Sequence, residues 1–190
     1  MIKAIIFDCF GVLTSDGWLP FKKQHFGNDR ELESQATDLS KQLNSGYLSA
    51  GDFMQQIAAL AGVSPEQARR AIERNAANEE LFDYISSSLK GRYKLAILSN
   101  AGANQLRQLF TPEQIDLFDH AALSYETGYV KPDGRAYQHV SDLLGVQPEE
   151  CIFVDDQQRH CTGACEAGMQ AVCYQDFEQA RAELEAALSA

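Results

Sequence analysis

The amino-acid sequence predicts an α/β protein in which a Rossmann-like parallel sheet is flanked by helices. Short, mostly apolar runs typical of buried strands recur along the chain, and segments with helical periodicity separate them. Strands that alternate with helices indicate a parallel sheet covered on both faces. One long interruption is present, because residues 16–77 contain several helix starts and no convincing strand. We therefore expect a small helical insert after the first strand.

The predicted strands are the apolar runs, and they are Ile2–Phe7, Tyr93–Leu98, Cys151–Val154 and Gln170–Cys173, with Ala121–Leu123 as a weaker fifth candidate. The helices between them begin at polar capping residues or end at glycine. They are predicted from Asn78 to Lys90 and over Ala103–Phe110, Asp133–Leu144, His160–Ala167 and Phe177–Leu188.

Residues 16–77 are predicted to form an all-helical domain, with residues 1–15 and 78–190 forming the Rossmann-like core. Ser49 and Ser64 each begin a capping box, which is a sequence pattern typical of a helix start. The chain has 190 residues, which suits one core with a modest insert, because single domains contain roughly 100–200 residues.

Composition and charge exclude several classes of protein. With 45% hydrophobic and 23% charged residues, the chain is neither disordered nor fibrous. A net charge of −11 without a basic patch argues against nucleic-acid or membrane-surface partners. No apolar run approaches the roughly 20 residues of a membrane helix, and the apolar start is too short for a signal peptide, so we expect a cytoplasmic location.

The five cysteines are expected to be reduced structural thiols. Their number is odd and no CxxC pair is present. Cys161 and Cys165 lie four residues apart on one predicted helix, which could place two metal ligands on one face. No second cysteine pair or histidine spacing completes a zinc site.

Polar side chains follow four of the strands, where a parallel sheet binds its ligands. They are Asp8 after the first strand, Ser99 and Asn100 after the second, Lys131 after the weak third, and Asp155 with Asp156 after the fourth. Three acids packed together repel one another unless a cation separates them, and oxygen ligands suit Mg²⁺. Such a set, with a lysine and backbone donors, fits phosphoryl transfer.

Four segments, in this order, resemble the four motifs of the haloacid dehalogenase (HAD) superfamily: Phe7–Leu13, Leu98–Asn100, Gly128–Pro132 and Phe153–Asp156. The position of the insert resembles the small helical cap of the first cap class, and Gly46–Ser49 followed by Phe53 is similar to a recurring cap segment. The sequence is therefore identified as a member of this superfamily.

The resemblance implies a role for each motif residue. Asp8 would be the nucleophile and would form an aspartyl-phosphate. Ser99, aided by the Asn100 amide, would bind the transferring phosphoryl group. Lys131 would neutralise the charge of that group and of Asp8. The implied Mg²⁺ ligands are Asp8, the Phe10 carbonyl, Asp156 and, directly or through water, Asp155.

Phe10 departs from the pattern of most phosphatases in the superfamily, which have a second aspartate at this position. That aspartate protonates the leaving group and then activates water, a contribution of about 10²–10⁴-fold. The phosphatase interpretation remains, with the proton supplied by substrate, water, Asp16 or His25. It resembles the subgroup near the epoxide-hydrolase amino-terminal domain and sugar 1-phosphatases. The expected substrate is a small sugar or metabolite phosphate, and the oligomeric state stays open.

Two alternatives stay open. A metal-independent 2-haloacid dehalogenase would resemble this chain in having an aromatic residue at Phe10, but the tandem acids Asp155 and Asp156 argue against it. A catalytically degenerate HAD protein with a binding or regulatory role is the second, and the intact motifs argue against that. His160 lies where relatives often have asparagine, so contact with the metal-binding acids and a surface or capping role are both open.

Overall fold

The computed structural model describes residues 1–102 and 105–189. Five strands form its sheet: β1 (Ala4–Phe7), β2 (Lys94–Ser99), β3 (His120–Leu123), β4 (Cys151–Asp155) and β5 (Gln170–Cys173). Their order is β3-β2-β1-β4-β5, and every neighbouring pair is parallel. The predicted fold class is confirmed, and the weak third strand is present.

Seven α-helices accompany the sheet in the described part of the chain: α5 (Glu79–Tyr84), α6 (Gln105–Leu109), α7 (Pro112–Ile115), α8 (Ser124–Thr127), α9 (Gly134–Leu144), α10 (Gln158–Glu166) and α11 (Phe177–Ser189). The helix predicted from Asn78 to Lys90 is in two parts, because α5 continues as a π-helical turn over Ile85–Leu89. The first two residues of the helix predicted over Ala103–Phe110 lie outside the described residues, and α6 forms most of the remainder. A 3₁₀ turn, Pro148–Glu150, precedes β4.

Both faces of the sheet are buried, which explains why its strands are almost continuously apolar. Side chains alternate between the faces. In β1, Ile5 and Phe7 pack into one hydrophobic core, whereas Ala4 and Ile6 pack into the other. The same alternation places Asp8, the next residue, on the face of Ala4 and Ile6.

The chain divides into two compact units, Met1–Thr14 with Ala77–Ala190 and Ser15–Ala76. The second unit contains α1 (Trp18–Phe26), α2 (Arg30–Asn44), α3 (Ala50–Ala61) and α4 (Pro65–Ile72). Phe26 and Ile57 are fully buried in its own hydrophobic core. The function of this unit as a cap remains a prediction.

The two ends of the inserted unit lie side by side. Thr14 pairs with Ala77 in an antiparallel bridge, and the Asn78 N–H donates to the Leu13 carbonyl at 2.9 Å. The Ser15 N–H donates to the Ala76 carbonyl at 3.0 Å. The insert therefore leaves and rejoins the core through one narrow junction.

None of the helices in the described residues has the length and apolar character needed to cross a membrane. No disulfide links any of the five cysteines, all of which lie in the described residues, and Cys161 and Cys165 lie on α10 as the sequence predicts.

Candidate active site

Strand register brings two of the predicted acids together. Phe7 pairs with Ile97 on one side and with Val154 on the other. Asp8 continues this ladder, because its N–H donates to the Val154 carbonyl at 2.8 Å. Asp8 therefore lies beside Asp155, the last residue of β4, at the carboxyl edge of the sheet.

Lys131 lies between these two carboxylates. Its Nζ is 2.7 Å from Asp8 Oδ1 and 2.7 Å from Asp155 Oδ2. The side chains of Lys131, Asp8 and Asp155 are 1%, 6% and 0% exposed, so the ion pairs are almost entirely removed from water. The Nζ also lies 5.1 Å from the centre of the Phe153 ring. The predicted pairing of Lys131 with Asp8 is present, and its bridge to Asp155 is an additional contact.

Burial and these contacts shift the pKa values in different directions. Burial raises the pKa of Asp8 well above its usual range, although Lys131 opposes the shift. Burial acts in the same direction on Asp155, but Lys131 and His160 outweigh it and hold that pKa well below its usual range. Burial alone would lower the pKa of Lys131, and the two carboxylates raise it instead. The two carboxylates therefore favour the charged form of the lysine.

Three donor groups contact the carboxylate of Asp155. Besides Lys131, its carboxylate accepts from the Gln157 backbone N–H at 2.8 Å and contacts His160 Nδ1 at 3.0 and 3.1 Å. His160 is buried, so the surface role left open by the sequence is wrong. Burial lowers the pKa of His160 despite the neighbouring carboxylate.

Asn100 positions Lys131 through the backbone. Its side-chain amide donates to the Lys131 carbonyl at 3.1 Å and accepts from the Lys131 N–H at 2.8 Å. This reciprocal pair connects the loop after β2 to the loop that carries the lysine. Both polar atoms of the Asn100 side chain are therefore occupied by Lys131, and a role of Asn100 in substrate binding remains a prediction.

The Ser99 hydroxyl is buried at the end of β2 and has no hydrogen-bond partner among residues 1–102 and 105–189. A buried hydroxyl without a partner is costly unless a ligand or water binds it. An oxygen-rich ligand at the carboxyl edge of the sheet would satisfy this group.

Gly11 explains how Asp156 approaches the loop after β1. Gly11 has a positive φ of 85°, and a Cβ at this position would lie 2.5 Å from Asp156 Cγ. Only glycine permits both this backbone conformation and this close approach. The half-buried Asp156 carboxyl group is thereby brought against the loop that follows the nucleophile candidate.

Phe10 and the two alternative proton donors have local contacts. Phe10 is half-buried and packs against the hydrophobic core on the Phe7 side of the sheet. In the inserted unit, Asp16 Oδ1 accepts from the Trp18 N–H at 2.7 Å, and burial raises the pKa of this carboxyl. The His25 ring lies 4.4 Å from the Phe21 ring. The participation of Asp16 or His25 in proton transfer remains a prediction.

The donor set fits a divalent cation. Within the described residues, ligand atoms of Asp8, Asp155 and His160 lie within 4.8 Å of one another. The carboxyl groups of Asp8, Asp155 and Asp156 share this edge with one lysine, and carboxylate oxygen suits Mg²⁺. Because the carboxylate of Asp155 already serves three donors, Asp156 is the better candidate for a direct ligand.

This fold and this set of edge residues define a hydrolase of the HAD type. The model of the haloacid dehalogenase-like hydrolase family matches residues 2–168. The chain therefore belongs to the haloacid dehalogenase-like hydrolases, and the resemblance found in the sequence is confirmed.

Similar proteins include phosphatases. The chain is 29% identical over 173 residues to D-ribitol-5-phosphate phosphatase of Bacteroides thetaiotaomicron, covering 82% of this chain and 84% of that protein. It is 27% identical over 192 residues to Phosphatase MT3486 of Mycobacterium tuberculosis, covering 90% and 86%. The HAD family enzyme bt-2542 of Bacteroides thetaiotaomicron, solved with magnesium and inorganic phosphate, shares the fold with a TM-score of 0.68, 24% identity and coverage of 93% and 98%.

Proposed function

We propose that this protein hydrolyses small phosphomonoesters through an aspartyl-phosphate on Asp8, with Mg²⁺ as its cofactor. The observation that carries the proposal is the buried Asp8 carboxylate, held 2.7 Å from Lys131 Nζ, at the same sheet edge as the unpartnered Ser99 hydroxyl. The two curated relatives that are named phosphatases support the same chemistry.

The hydrogen bonds of Asp8 orient it for nucleophilic attack. Its Oδ1 accepts from the Cys9 N–H at 2.6 Å and from Lys131 Nζ at 2.7 Å. These bonds fix the carboxylate and leave Oδ2 as the oxygen that attacks phosphorus. Lys131 then shares its charge with the phosphoryl oxygens, and the Ser99 hydroxyl donates to one of them. Fixed donors aimed at developing charge are an effective catalytic device, because they need no reorganisation during the reaction.

Mg²⁺, when bound, would neutralise phosphoryl charge and favour the ionised form of Asp8, whose pKa burial alone raises. Asp8, the Phe10 carbonyl and Asp156 would hold it. In this proposal Asp155 acts mainly on Lys131, which refines the direct or water-mediated metal contact expected from the sequence.

Phe10 determines which leaving groups are favourable. The side chain cannot donate a proton, so the leaving alkoxide receives one from water, from the substrate or from Asp16 or His25. Esters with a good leaving group, such as sugar 1-phosphates and p-nitrophenyl phosphate, should therefore be hydrolysed faster than simple alkyl phosphates. Hydrolysis of the aspartyl-phosphate by water completes the cycle.

A 2-haloacid dehalogenase is the second candidate, and Phe10 is the observation that favours it, because halide leaves without a proton. Its haloacid substrate carries a negative charge. In a metal-free site, Asp8, Asp155 and Asp156 outnumber the single cation Lys131 and would repel that substrate. The phosphatase proposal requires the cation that resolves this repulsion.

The test is release of phosphate from p-nitrophenyl phosphate, sugar 1-phosphates and alditol phosphates, with and without Mg²⁺. Asp8→Asn removes the nucleophile, and Asp83→Asn on the exposed side of α5 is the matched control. We expect metal-dependent release that Asp8→Asn abolishes and Asp83→Asn leaves unchanged. Chloride release from a 2-haloacid, unaffected by chelator, would replace the proposal with the dehalogenase. Failure to turn over either class, with BeF₃⁻ and Mg²⁺ still bound, would indicate the degenerate protein.

A further inference from the structure

His160 is a buried polar side chain of the site that the proposed reaction leaves without a role. It lies in the first turn of α10, and only 2% of its side chain is exposed. Its Nδ1 lies 3.0 Å from Asp155 Oδ1 and 3.1 Å from Oδ2. Burying a polar imidazole costs free energy unless hydrogen bonds compensate for the lost water, and here the Asp155 carboxylate is the partner of Nδ1.

The hydrogen bonds identify which ring nitrogen carries the proton. An ionised carboxylate only accepts, so Nδ1 must be the donor. Nε2 is buried and has no hydrogen-bond partner among the residues that the structure describes. An imidazolium would leave a buried N–H without an acceptor at Nε2. The contacts therefore favour a neutral ring with its proton on Nδ1.

The packing of α10 holds the imidazole in place. The Tyr137 hydroxyl donates to the His160 carbonyl at 2.8 Å. One turn further along, a Cβ at Gly163 would lie 2.8 Å from Pro132 Cβ and 3.1 Å from the Tyr137 hydroxyl. The absence of a side chain at Gly163 thus lets α10 pack closely against the residue that follows Lys131.

We propose that His160 is a positioning residue that fixes the Asp155 carboxylate so that its Oδ2 holds Lys131 Nζ against Asp8. The contacts form one continuous chain, from His160 through Asp155 and Lys131 to the nucleophile. Gln157 contributes one further donor, at Asp155 Oδ1. Without the imidazole, the Asp155 carboxylate can turn about its last side-chain bond, and Lys131 loses the fixed partner opposite Asp8. The kinetic consequence of this inference rests on the proposed phosphatase activity.

Two substitutions of His160, by asparagine and by leucine, distinguish a hydrogen-bonding role of the side chain from a packing role. Asparagine places an N–H near the position of Nδ1, whereas leucine keeps most of the volume and donates nothing. His120→Asn, at an exposed position in β3, is the control. Mutation of a residue that orients a site residue through a hydrogen bond typically lowers activity about 10–100-fold. We expect kcat to fall about 10–100-fold in His160→Leu. In His160→Asn it should stay within about threefold of wild type, with KM in both changing less than kcat.

Nitrogen-15 NMR of the metal-free protein gives a readout that does not depend on activity. We expect the wild-type His160 signals to show a protonated Nδ1 and an unprotonated Nε2. We also expect a slowly exchanging Lys131 ammonium signal in wild type and His160→Asn that is lost in His160→Leu. A protonated Nε2, an unchanged Lys131 signal in His160→Leu, or equal kcat values in the two variants would overturn the inference. An inactive wild-type protein with the expected NMR signals would instead refute the proposed function and leave the positioning role intact.

Discussion

Replacing Lys131 with methionine removes the cation that lies between two buried carboxylates. Lys131 Nζ is 2.7 Å from both Asp8 Oδ1 and Asp155 Oδ2, and all three side chains are at most 6% exposed. Methionine retains most of the apolar stem, so the main loss is electrostatic. Breaking a buried ion pair by removing one partner costs about 3–5 kcal/mol, which is a large share of the roughly 5–15 kcal/mol of a typical domain.

The loss should depend on pH, and its sign follows from Asp8. Burial already raises the pKa of this carboxyl, and removing Lys131 raises it further. An aspartate whose folded-state pKa exceeds the unfolded value of about 3.9 stabilises the fold below that value. This stabilisation is lost as the pH rises through the folded-state pKa. The Lys131→Met variant should therefore lose more stability at pH 7 than at pH 5, with a slope of up to about 1.4 kcal/mol per pH unit.

The assay is urea unfolding in chelator at pH 5 and pH 7, followed by circular dichroism. Trp18 is the single tryptophan and lies in the inserted unit, so its fluorescence reports separately on that unit. Lys94→Met is the control, because it removes one hydrogen bond to the Leu144 carbonyl and no buried ion pair. It should cost about 1 kcal/mol at both pH values. If Lys131→Met cost the same at pH 5 and pH 7, the two acids would not depend on the lysine for compensation.

Three further predictions concern the surrounding residues. Gly11→Ala places a Cβ against Asp156 at a positive-φ position, so we expect the free energy of unfolding to fall by about 1–3 kcal/mol. We also expect half-maximal phosphatase activity to require a higher Mg²⁺ concentration. An unchanged metal requirement would contradict a role of this contact in metal binding. Burial raises the pKa of Cys161 to about 12, so iodoacetamide at pH 8 should modify the exposed Cys165 well before Cys161, which mass spectrometry of digested peptides can check. Phe10→Asp should accelerate hydrolysis of esters with poor leaving groups by up to about 10²-fold, and an unchanged rate on alkyl phosphates would show that proton transfer is not limiting.

The sheet could be predicted from the sequence because its strands are largely buried on both faces and are therefore mostly apolar. The weaker signal of β3 reflects its exposed first residue, His120. The sequence carries weaker signals for the bounds of the first two helices of the insert. Gly17 precedes α1 and makes no side-chain capping bond, and Pro20 falls in its first turn. For α2 a signal was present, since Asp29 caps the helix and accepts from the Glu31 and Leu32 N–H groups.

The residues of the candidate site could be predicted from the sequence, but the ion pairs and hydrogen bonds that connect them could not. Strand ends indicate that Asp8, Lys131 and Asp155 converge, because carboxyl ends of parallel strands share one edge. The bridge from Lys131 to Asp155 depends on the conformation of the loop before α9, which Asn100 holds through two hydrogen bonds to the Lys131 backbone. The position of His160 depends on how closely α10 packs at Gly163, and spacing along the chain carries no information about that distance.

Because the insert joins the core at the narrow junction of Thr14 and Ala77, its length need not affect the positions of Asp8 and Asp155. The two ends of residues 15–76 are neighbours joined by backbone hydrogen bonds. The segments that lead from β1 and into α5 therefore lie close together. Any segment with closely spaced ends could be exchanged there without changing the register that sets Asp8 beside Asp155. The junction is therefore a suitable grafting point, where the inserted segment can be replaced in evolution or in the laboratory while the Asp8 and Asp155 carboxylates stay in place.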